Sequence, residues 1–338
     1  MNTPGAELAL PIDDSALADR LRARMATVEE ALYAHASSRA PYVTEAARHL
    51  LAAGGKRFRP LLVLLAAEAG PRPDADEVLT AACVVEITHV GSLYHDDVMD
   101  EAALRRGEDS ANARYDNLVA ILTGDWLFAK SSELTAQLGP EAVRIQAETF
   151  TRLVEGQILE TVKPGPDEDA LAHYLEVVAG KTGSLIATSA HYGALFSGAM
   201  PEVVAALTEY GELVGTAFQL SDDILDIASE SEESGKTPGT DLKEGVPTLP
   251  VLIARASTDP ADARLLELLD PERTDLAADA ELHAEALDLL RKHAAMDQAQ
   301  AYVVARAQEA KQLLQALPEG SVRTALEAFA DVVAVRSA

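Results

Sequence analysis

Apolar residues recur every three or four positions along most of this chain, with polar residues between them. This spacing is typical of amphipathic helices and is clear over three long segments: ADRLRARMATVEEALYAHA, EAVRIQAETFTRLVEGQILETV and ALAHYLEVVAGKTGSLIATSAHYGALF. Proline and glycine separate the apolar stretches, as in PRPDADE (71–77), LGPE (138–141), KPGPDED (163–169) and GAMPE (198–202). No alternating pattern bounded by turn residues predicts a strand, so we expect an all-α helix bundle.

Two segments depart from this pattern. GGKRFRP (54–60) is a glycine-initiated basic turn leading into an apolar helix, with Pro60 suited to the first helical turn. SESEESGKTPGTDLKEGVPTLP (229–250) is a polar loop whose length is typical of a functional lid or a disordered segment. Residues 1–15 are predicted to form a flexible tail, and residues 16–338 a single all-α domain.

Composition narrows the class of protein. Of 338 residues, 48% are hydrophobic and 25% charged, which is typical of a globular protein. The formal net charge of −27 argues against nucleic acid as a partner, because such binding needs a basic surface. The longest apolar run, LLVLLAA (61–67), is far shorter than the roughly 20 residues that span a bilayer, so no transmembrane segment is expected.

The single cysteine and the N-terminus bear on location. Cys83 lies in an apolar run, where we expect a buried, inert thiol, and one cysteine excludes a disulfide framework. The start of the chain lacks a basic stretch followed by an apolar core, so no signal peptide is expected. A cytoplasmic location is predicted.

Carboxylates cluster twice at the end of an apolar stretch, in YHDDVMD (94–100) and LSDDILD (220–226). On a helix, Asp96 and Asp100 share one face, with Asp97 turned about 100° away. Like charges so placed destabilise a helix, and a hard divalent cation such as Mg²⁺ or Mn²⁺ removes the repulsion. A solvated acidic helix end is the alternative, which the near-copy argues against. The predicted metal ligands are Asp96, Asp97, Asp100, Asp222, Asp223 and Asp226.

Basic residues are few and lie near these motifs. Mg²⁺ usually binds through few carboxylates plus a substrate phosphate, so a phosphorylated ligand is expected, and this ligand needs cations of its own. Candidate cations are Lys56, Arg57 and Arg59 in the basic turn, Arg105 and Arg106 after Asp100, Lys181 beside Thr182, and Lys236 in the polar loop. Taken singly, each is also consistent with a solvated surface position.

Five motifs, in order and in spacing, resemble the trans-isoprenyl diphosphate synthases of the polyprenyl synthetase family. They are GGKRFRP, HDDVMDEAALRRG, GKTGSL, FQLSDDILD and GKTPGTDLKEGVPTLP, and the likeness runs from about residue 25 to the C-terminus. The resemblance implies a large antiparallel helix bundle of the isoprenoid synthase type around a central cavity, and a homodimer. It also implies an Mg²⁺-dependent head-to-tail condensation of isopentenyl diphosphate with an allylic diphosphate such as farnesyl diphosphate, with Mn²⁺ as the substitute ion.

The resemblance also assigns roles. Metal ions held by Asp96 and Asp100 on one side, and by Asp222, Asp223 and Asp226 on the other, would stabilise the leaving diphosphate. The allylic diphosphate would be contacted by Arg105, Lys181 and Lys236, and isopentenyl diphosphate by Lys56, Arg59, His89 and Arg106, with Arg57 of the same turn as a further substrate-binding candidate. Thr182 and Gln219 would present oxygen dipoles to the carbocation. The chain departs from many members at Val246, where a lysine is common, which leaves Lys236 and Lys243 more important or the lid weaker.

Product length is predicted from the helix before Asp96. The growing tail is expected to run along a face formed by Ser92, Gly91, Thr88, Val85 and Ala81, none of them aromatic. At about 1.5 Å of rise per residue, this wall is open for about 20 Å, so we predict about seven to ten isoprene units, as for a quinone side chain. Trp126, Leu127 and Phe128 are candidates for a floor, so a four-unit product of the geranylgeranyl type, or a shorter one, is the alternative.

Three other classes stay open. A di-metal carboxylate bundle uses glutamates in a Glu-x-x-His spacing, which the aspartate motifs do not reproduce. A terpene cyclase uses one allylic diphosphate and does not need GGKRFRP or Arg106. An inactive partner subunit of a heteromeric synthase is expected to lose acidic motifs, whereas this chain has both.

Overall fold

A computed structural model describes residues 10–165, 167–229 and 238–334 of the chain. Within these ranges the chain is helical apart from its turns and one two-stranded ribbon, so the all-α prediction is confirmed. No described helix combines the length and the apolar character needed to cross a bilayer. The predicted tail lies largely outside these residues, since only its last part is described: Leu10 is buried, and Asp14 caps the first helix by accepting from the backbone N–H of Ala16 and Leu17.

The helices fall into two compact units that alternate along the chain. The first unit comprises Met1–Thr151, Leu185–Gly211 and Leu313–Ala328. The second comprises Arg152–Ser184, Glu212–Gln312 and Phe329–Ala338. That residues 16–338 act as a single domain stays a prediction.

The first unit begins with four helices and a ribbon. They are α1 (Ser15–His35), α2 (Pro41–Ala52), α3 (Phe58–Ala67), α4 (Asp76–Met99), β1 (Leu104–Arg105) and β2 (Glu108–Asp109). The strands pair antiparallel, with Leu104 opposite Asp109 and Arg105 opposite Glu108. Strands of two residues are too short to leave an alternating pattern, which is why the sequence does not indicate this ribbon.

Four helices continue from the ribbon: α5 (Ala111–Tyr115), α6 (Asn117–Gln137), α7 (Pro140–Glu160) and, later in the chain, α9 (Ser184–Ser197). The part of α7 that follows Thr151 belongs to the second unit. Helix α3 is buried from Pro60 to Ala67, as its unbroken apolar sequence requires. Helix α4 approaches α6 closely because Gly91 and Gly124 lie at the crossing, where a Cβ on Gly124 would be 3.0 Å from the Gly91 carbonyl oxygen. This crossing places the face of α4 that precedes Asp96 directly against α6.

The second unit contains α8 (Ala170–Val178), which continues through a π turn (Ala179–Gly183) into α9, and most of the C-terminal helices. These are α11 (Thr240–Glu244), α12 (Leu249–Arg255), α13 (Ala263–Leu269), α14 (Ala280–Lys292) and α15 (Ala294–Leu313), together with the C-terminal parts of α10 (Pro201–Ala228) and α16 (Ser321–Ala334). Its core includes Ile227, Val251, Leu268 and Leu290, all at most 2% exposed. Ile227 directly follows the second acidic motif, so that motif ends against packed side chains.

Candidate active site

The first acidic motif lies at the C-terminal end of α4. Asp96 is partly exposed, and the side chain of Asp100 is 54% exposed, whereas Asp97 is fully buried. Asp97 accepts hydrogen bonds from Arg105 Nε at 2.6 Å and from the backbone N–H of Ala111 at 2.7 Å. Both of its oxygens therefore tie the ribbon and the start of α5 to α4. The metal role of Asp97 stays a prediction, and a cation would have to compete with these two bonds.

Arg105 is held beside the same carboxylates. Its Nε donates to Asp97, and its Nη2 lies 3.6 Å from Asp100 Oδ2. The side chain is 19% exposed, so part of the guanidinium faces solvent next to Asp100. An arginine so fixed supplies the forked, permanent positive charge that phosphate oxygens prefer. The position of Arg105 is compatible with the predicted contact to an allylic diphosphate. That contact stays a prediction.

The donor atoms at this helix end fit a hard divalent cation. Asp96 and Asp100 stand one turn apart and supply carboxylate oxygens, the ligands preferred by Mg²⁺. Among the described residues, no group of three His, Cys, Asp or Glu side chains lies together closely enough to hold a metal ion. A cation here would therefore take its other ligands from water and from a phosphorylated substrate, which is the usual mode of Mg²⁺ binding.

Arg57 of the basic turn is a structural residue. Its Nε and Nη2 donate to Glu29, its Nη1 donates to Glu86 Oε1 at 2.9 Å, and its remaining N–H groups donate to the carbonyls of Gly54 and Leu51. A guanidinium has five N–H donors, and all five are used. The side chain is 6% exposed. The substrate-binding role of Arg57 stays a prediction, and these contacts give the residue a structural role in the turn.

Arg106 closes over the basic turn from the ribbon. Its Nη1 donates to the carbonyl of Leu50 at 3.2 Å and, in a shorter bond, to that of Gly54. Gly55 has φ +132°, and a Cβ at this position would lie 2.8 Å from the Arg106 guanidinium carbon. Only glycine fits both the backbone and the guanidinium. The turn therefore holds Arg106 beside Lys56, which is exposed.

His89 lies on α4 among the arginines of this turn. Burial is the largest cause that lowers its pKa well below the usual value, and the positive charges of Arg59, Arg106 and Arg57 lower the pKa further. The imidazole is therefore neutral at physiological pH, and it can donate one hydrogen bond without adding charge. Arg59, Arg106 and Lys56 are left as the cations predicted to bind isopentenyl diphosphate.

The second acidic motif lies near the C-terminal end of α10. Asp222 is partly exposed, whereas Asp223 is 5% exposed. Asp223 accepts from Gln219 Nε2 at 2.9 Å and from the hydroxyl of Tyr174, and burial raises the pKa of Asp223 to about 7. Both oxygens are thus engaged inside the unit. The metal role of Asp223 stays a prediction, and Asp222 is the accessible carboxylate of the pair.

Asp226 caps the short helix α11. Its two carboxylate oxygens accept from the backbone N–H of Thr240 at 3.2 Å and of Asp241 at 3.1 Å, and its carbonyl accepts from Gly239 at 2.7 Å. The contacts tie the end of the predicted polar loop to the end of α10. Asp226 would have to give up part of this capping to bind a metal ion, so its predicted metal role stays a prediction.

Lys181 and Thr182 occupy the π turn between α8 and α9. Lys181 Nζ lies 2.6 Å from Glu160 Oε2, and both side chains are about 30% exposed. Thr182 is 6% exposed and donates to Gln219 Oε1 at 2.9 Å. Irregular π turns within α-helices occur frequently at functional sites. The predicted pair Thr182 and Gln219 is therefore brought into direct contact.

The predicted open wall on α4 is covered. Thr88 and Val85 are buried, and the ring of Phe128 lies 3.1 Å from where a Cβ on Gly91 would be. Phe150 of α7 lies against Phe128, with ring centroids 4.6 Å apart and the ring planes tilted by 57°. Helices α6 and α7 therefore pack against the face predicted to be free, and the role of this face as the chain-length wall stays a prediction. Ala81 is also buried, and Ser92 is partly exposed.

A polar cluster lies one helical turn beyond the aromatic pair. Thr88 Oγ1 and Ser131 Oγ are 2.7 Å apart, and Gln146 Nε2 donates to Thr88 at 2.8 Å. The amide oxygen of Gln146 is buried without a hydrogen-bond partner among the described atoms. A prenyl tail that reached this level would meet polar groups instead of apolar side chains.

Of the two lysines in the polar loop that the sequence singled out, the structure describes one. Lys236, predicted to bind the allylic diphosphate, lies outside the described residues. Lys243 is exposed on α11, and Val246 donates its backbone N–H to the carbonyl of Asp241 at 2.9 Å. That Lys236 and Lys243 make up for the lysine absent at position 246 stays a prediction.

Sequence reasoning missed three residues that support the site: Glu86, Glu160 and Tyr174. The sequence does indicate a buried ion pair at Glu86, because a glutamate within the apolar run TAACVVEITHV requires a buried cation as its partner. Glu160 and Tyr174 carried no such signal. Their partners, Lys181 and Asp223, are 21 and 49 residues away.

Comparison with known proteins identifies the family. The model of the polyprenyl synthetase family matches residues 40–289, so the chain belongs to this family. It is 47% identical over 337 residues to a nonaprenyl diphosphate synthase of Mycobacterium tuberculosis, a match that covers 99% of each chain.

Solved structures agree with this assignment. A geranylgeranyl pyrophosphate synthase from Corynebacterium glutamicum, complexed with calcium and isoprenyl diphosphate, is 44% identical with a TM-score of 0.85, covering 97% of this chain and 99% of that one. A polyprenyl synthase from Caulobacter crescentus, complexed with the same two ligands, is 33% identical with a TM-score of 0.87, covering 98% and 100%. The predicted isoprenoid synthase fold is confirmed.

Proposed function

We propose that this protein is a trans-polyprenyl diphosphate synthase that joins isopentenyl diphosphate to an allylic prenyl diphosphate, head to tail, in the presence of Mg²⁺. The observation that carries the proposal is the end of α4, where the exposed carboxylate of Asp100 lies 3.6 Å from the guanidinium of Arg105. Carboxylates that suit a cation and an arginine that suits phosphate are expected together where a metal–diphosphate complex binds. Family membership and the relatives' names support the same reaction.

Asp96, Asp100 and Asp222 are proposed as the carboxylates that hold Mg²⁺, because each is accessible within its own unit. Bound Mg²⁺ would stabilise the negative charge that develops on the departing diphosphate. Arg105 and Lys181 would bind the phosphate oxygens from the protein side. Lys181 must first leave Glu160, with which it forms an ion pair 2.6 Å long.

Thr182 and Gln219 are proposed to face the allylic carbon as it becomes positively charged. Both are neutral, so their oxygen dipoles stabilise the cation without forming a bond to it. Lys56, Arg59, Arg106 and the neutral imidazole of His89 are proposed to bind isopentenyl diphosphate. Among the described residues we assign no side chain as general base, and the proton lost in the condensation is proposed to pass to the released diphosphate.

A long-chain product of about seven to ten isoprene units is the proposed outcome. The 47% identity to a nonaprenyl diphosphate synthase supports it. The 44% identity to a geranylgeranyl pyrophosphate synthase, together with Phe128 against Gly91, favours a four-unit product as the second candidate. With Mn²⁺ in place of Mg²⁺, we expect the same product.

The decisive experiment incubates the purified protein with farnesyl diphosphate, isopentenyl diphosphate and Mg²⁺ and measures the mass of the extracted product. Asp96→Asn should abolish most turnover, whereas Asp288→Asn, on an exposed pair with Lys292, serves as the matched control and should not. Absence of product from the unmodified chain would contradict the proposal. Tight iron binding in the absence of pyrophosphate would favour a di-metal bundle instead.

A homodimer and a cytoplasmic location complete the proposal. Helix α6 presents three exposed apolar side chains one turn apart or less, Leu118, Ile121 and Leu122, which supports burial against a second copy. Sedimentation velocity would test this, and a monomer at micromolar concentration would contradict it. The single buried Cys83 supports a reducing compartment.

A further inference from the structure

A chain of hydrogen bonds in the second unit connects Tyr174 to Thr182. The hydroxyl of Tyr174 donates to Asp223 Oδ2, and Gln219 Nε2 donates to Asp223 Oδ1 at 2.9 Å. Thr182 Oγ1 then donates to Gln219 Oε1 at 2.9 Å. Tyr174 and Asp223 are both buried, so solvent does not compete for these bonds. Tyr174 has no role in the reaction as proposed so far.

The order of donors and acceptors fixes the orientation of the Gln219 amide. Gln219 donates its NH₂ group to Asp223 Oδ1, while its amide oxygen accepts from Thr182 Oγ1. The amide oxygen is therefore turned toward Thr182. A neutral partner in place of Asp223 would accept either end of the amide, and the orientation would no longer be fixed.

The orientation matters because the two ends of an amide have opposite polarity. Toward a developing carbocation the amide oxygen is stabilising, whereas the NH₂ end would be repulsive. Thr182, which donates its hydroxyl proton to Gln219, is left with oxygen lone pairs to offer. A single buried carboxylate thus orients both neutral groups.

We infer that Tyr174 and Asp223 are positioning residues that orient Gln219, and through it Thr182, toward the reacting carbon. The inference rests on the proposed function. It removes Asp223 from the metal ligands and gives the second acidic motif two separate tasks. Asp222 holds the cation, and Asp223, turned into the unit, fixes the amide.

The backbone around Thr182 supports a fixed geometry. The π turn is closed by the Ser184 N–H, which donates to the carbonyl of Ala179, and Ser184 Oγ donates to the carbonyl of Gly180 at 2.6 Å. Gly180 packs directly on α7, where a Cβ would lie 3.1 Å from the Cα of Gly156. Thr182 is therefore held from the backbone side, while its hydroxyl donates to Gln219, which in turn donates to Asp223.

The first test is Tyr174→Phe, which removes one donor to Asp223 and keeps the ring. We expect kcat to fall about tenfold, with the KM for the allylic diphosphate changed less than about twofold. In a Gln219→Ala background the same substitution should cause no further loss, because Tyr174 acts through Gln219. Tyr192→Phe is the matched control, since Tyr192 is also buried and donates its hydroxyl to the Ala142 carbonyl at 2.8 Å; its kcat should be unchanged.

The second test is Asp223→Asn, which keeps the shape and lets Gln219 turn over. We expect kcat to fall about ten- to a hundredfold. The affinity for Mg²⁺ and inorganic pyrophosphate, measured by calorimetry, should change less than about twofold, whereas Asp222→Asn should weaken it by about tenfold or more. The calorimetric measurement does not depend on turnover.

Three results would overturn the inference. They are a tenfold loss of pyrophosphate-dependent Mg²⁺ affinity in Asp223→Asn, an unchanged kcat in a folded Tyr174→Phe, and a Tyr174→Phe effect that adds fully to that of Gln219→Ala. If Tyr174→Phe does not fold, the calorimetry on Asp223→Asn still decides. Failure of the proposed function is distinct, because the unmodified chain would then make no prenyl product.

Discussion

Arg57 Nη1 lies 2.9 Å from Glu86 Oε1, and the two side chains are only 6% and 3% exposed. Glu29 lies 3.0 Å away from Arg57 Nη2 and completes the neutralisation from α1. A buried guanidinium that also donates to the carbonyls of Gly54 and Leu51 fixes the glycine turn from inside. The exposed residues of the turn, such as Lys56, are therefore attached to a rigid backbone.

Replacing Arg57 by alanine should destabilise the fold strongly, because Glu86 would be left buried without its cation. Breaking a buried ion pair in this way costs about 3–5 kcal/mol. Urea unfolding followed by circular dichroism measures the change. Arg264→Ala is the control, since its pairs with Glu285 and Glu267 are exposed and should contribute far less. Equal effects of the two substitutions would contradict the structural role of Arg57.

Gly55→Ala should weaken the binding of isopentenyl diphosphate. The new Cβ would lie 2.8 Å from the guanidinium carbon of Arg106, so the guanidinium must move. We expect the KM for isopentenyl diphosphate to rise about tenfold, with the KM for the allylic substrate little changed. Gly54→Ala is the control, because its φ is also positive, +85°, but nothing lies within 4 Å of the new Cβ. A similar KM change in both variants would point to backbone strain instead of Arg106.

Asp96→Asn and Asp97→Asn should fail in different ways. Asp96→Asn removes an accessible carboxylate, so more Mg²⁺ should be needed for half-maximal turnover while the unfolding midpoint hardly changes. Asp97→Asn places an NH₂ group opposite a donor, either Arg105 Nε or the Ala111 N–H, which should cost about 1–3 kcal/mol of stability. Parallel Mg²⁺ titrations and thermal unfolding separate the two. A larger Mg²⁺ effect for Asp97→Asn would reverse the assignment.

Phe128→Ala should lengthen the product. Removing the ring vacates the space against Gly91 and leaves Phe150 without its aromatic neighbour, so an apolar tail is able to extend further along α4. We expect the main product to gain one or more isoprene units, measured by mass spectrometry. Trp126→Ala is the control, since residue 126 lies about 200° around the same helix. Ser92→Phe should act in the opposite direction, and an unchanged length in both Phe128→Ala and Ser92→Phe would place the tail elsewhere.

Cys83 should not react with thiol reagents while the protein is folded. Burial raises the pKa of the thiol to about 12, so the thiolate is scarce up to about pH 9. The unfolded thiol has a lower pKa, so the unfolded state loses its proton first as the pH rises, and the free energy of unfolding should fall above about pH 8.5. Cys83→Ala should reduce this fall between pH 8.5 and 10. Rapid labelling of the folded chain at pH 8 would contradict the burial.

The sequence was most informative where the chemistry of a side chain alone indicates whether it is buried or accessible. The helical class follows from apolar spacing, and the accessible acids Asp96, Asp100 and Asp222 follow from motifs that packing alone does not explain. It was least informative about members of the same motif. Asp97 and Asp223 have the same chemistry as their neighbours, yet each is turned inward by about 100°, and only the partners across the fold show what they bind.

The face of α4 before Asp96 was equally hard to predict from its own sequence. A helix face without aromatic residues was expected to be open, but its openness depends on what a neighbouring helix contributes. Phe128 lies on α6 and Gln146 on α7, and neither follows from the sequence of α4. The sequence of one helix gives the side chains on its face. Whether that face lines a cavity depends on how the neighbouring helices pack against it.

The π turn at Ala179–Gly183 has a consequence for protein engineering. It holds one residue more than a regular turn, so the side chains after it are out of phase with those of α8 by about a quarter of a revolution. Deleting a single residue there would restore a continuous α-helix and turn Lys181 and Thr182 away from their partners. Transplanting these two side chains to another scaffold therefore requires transplanting the irregularity with them.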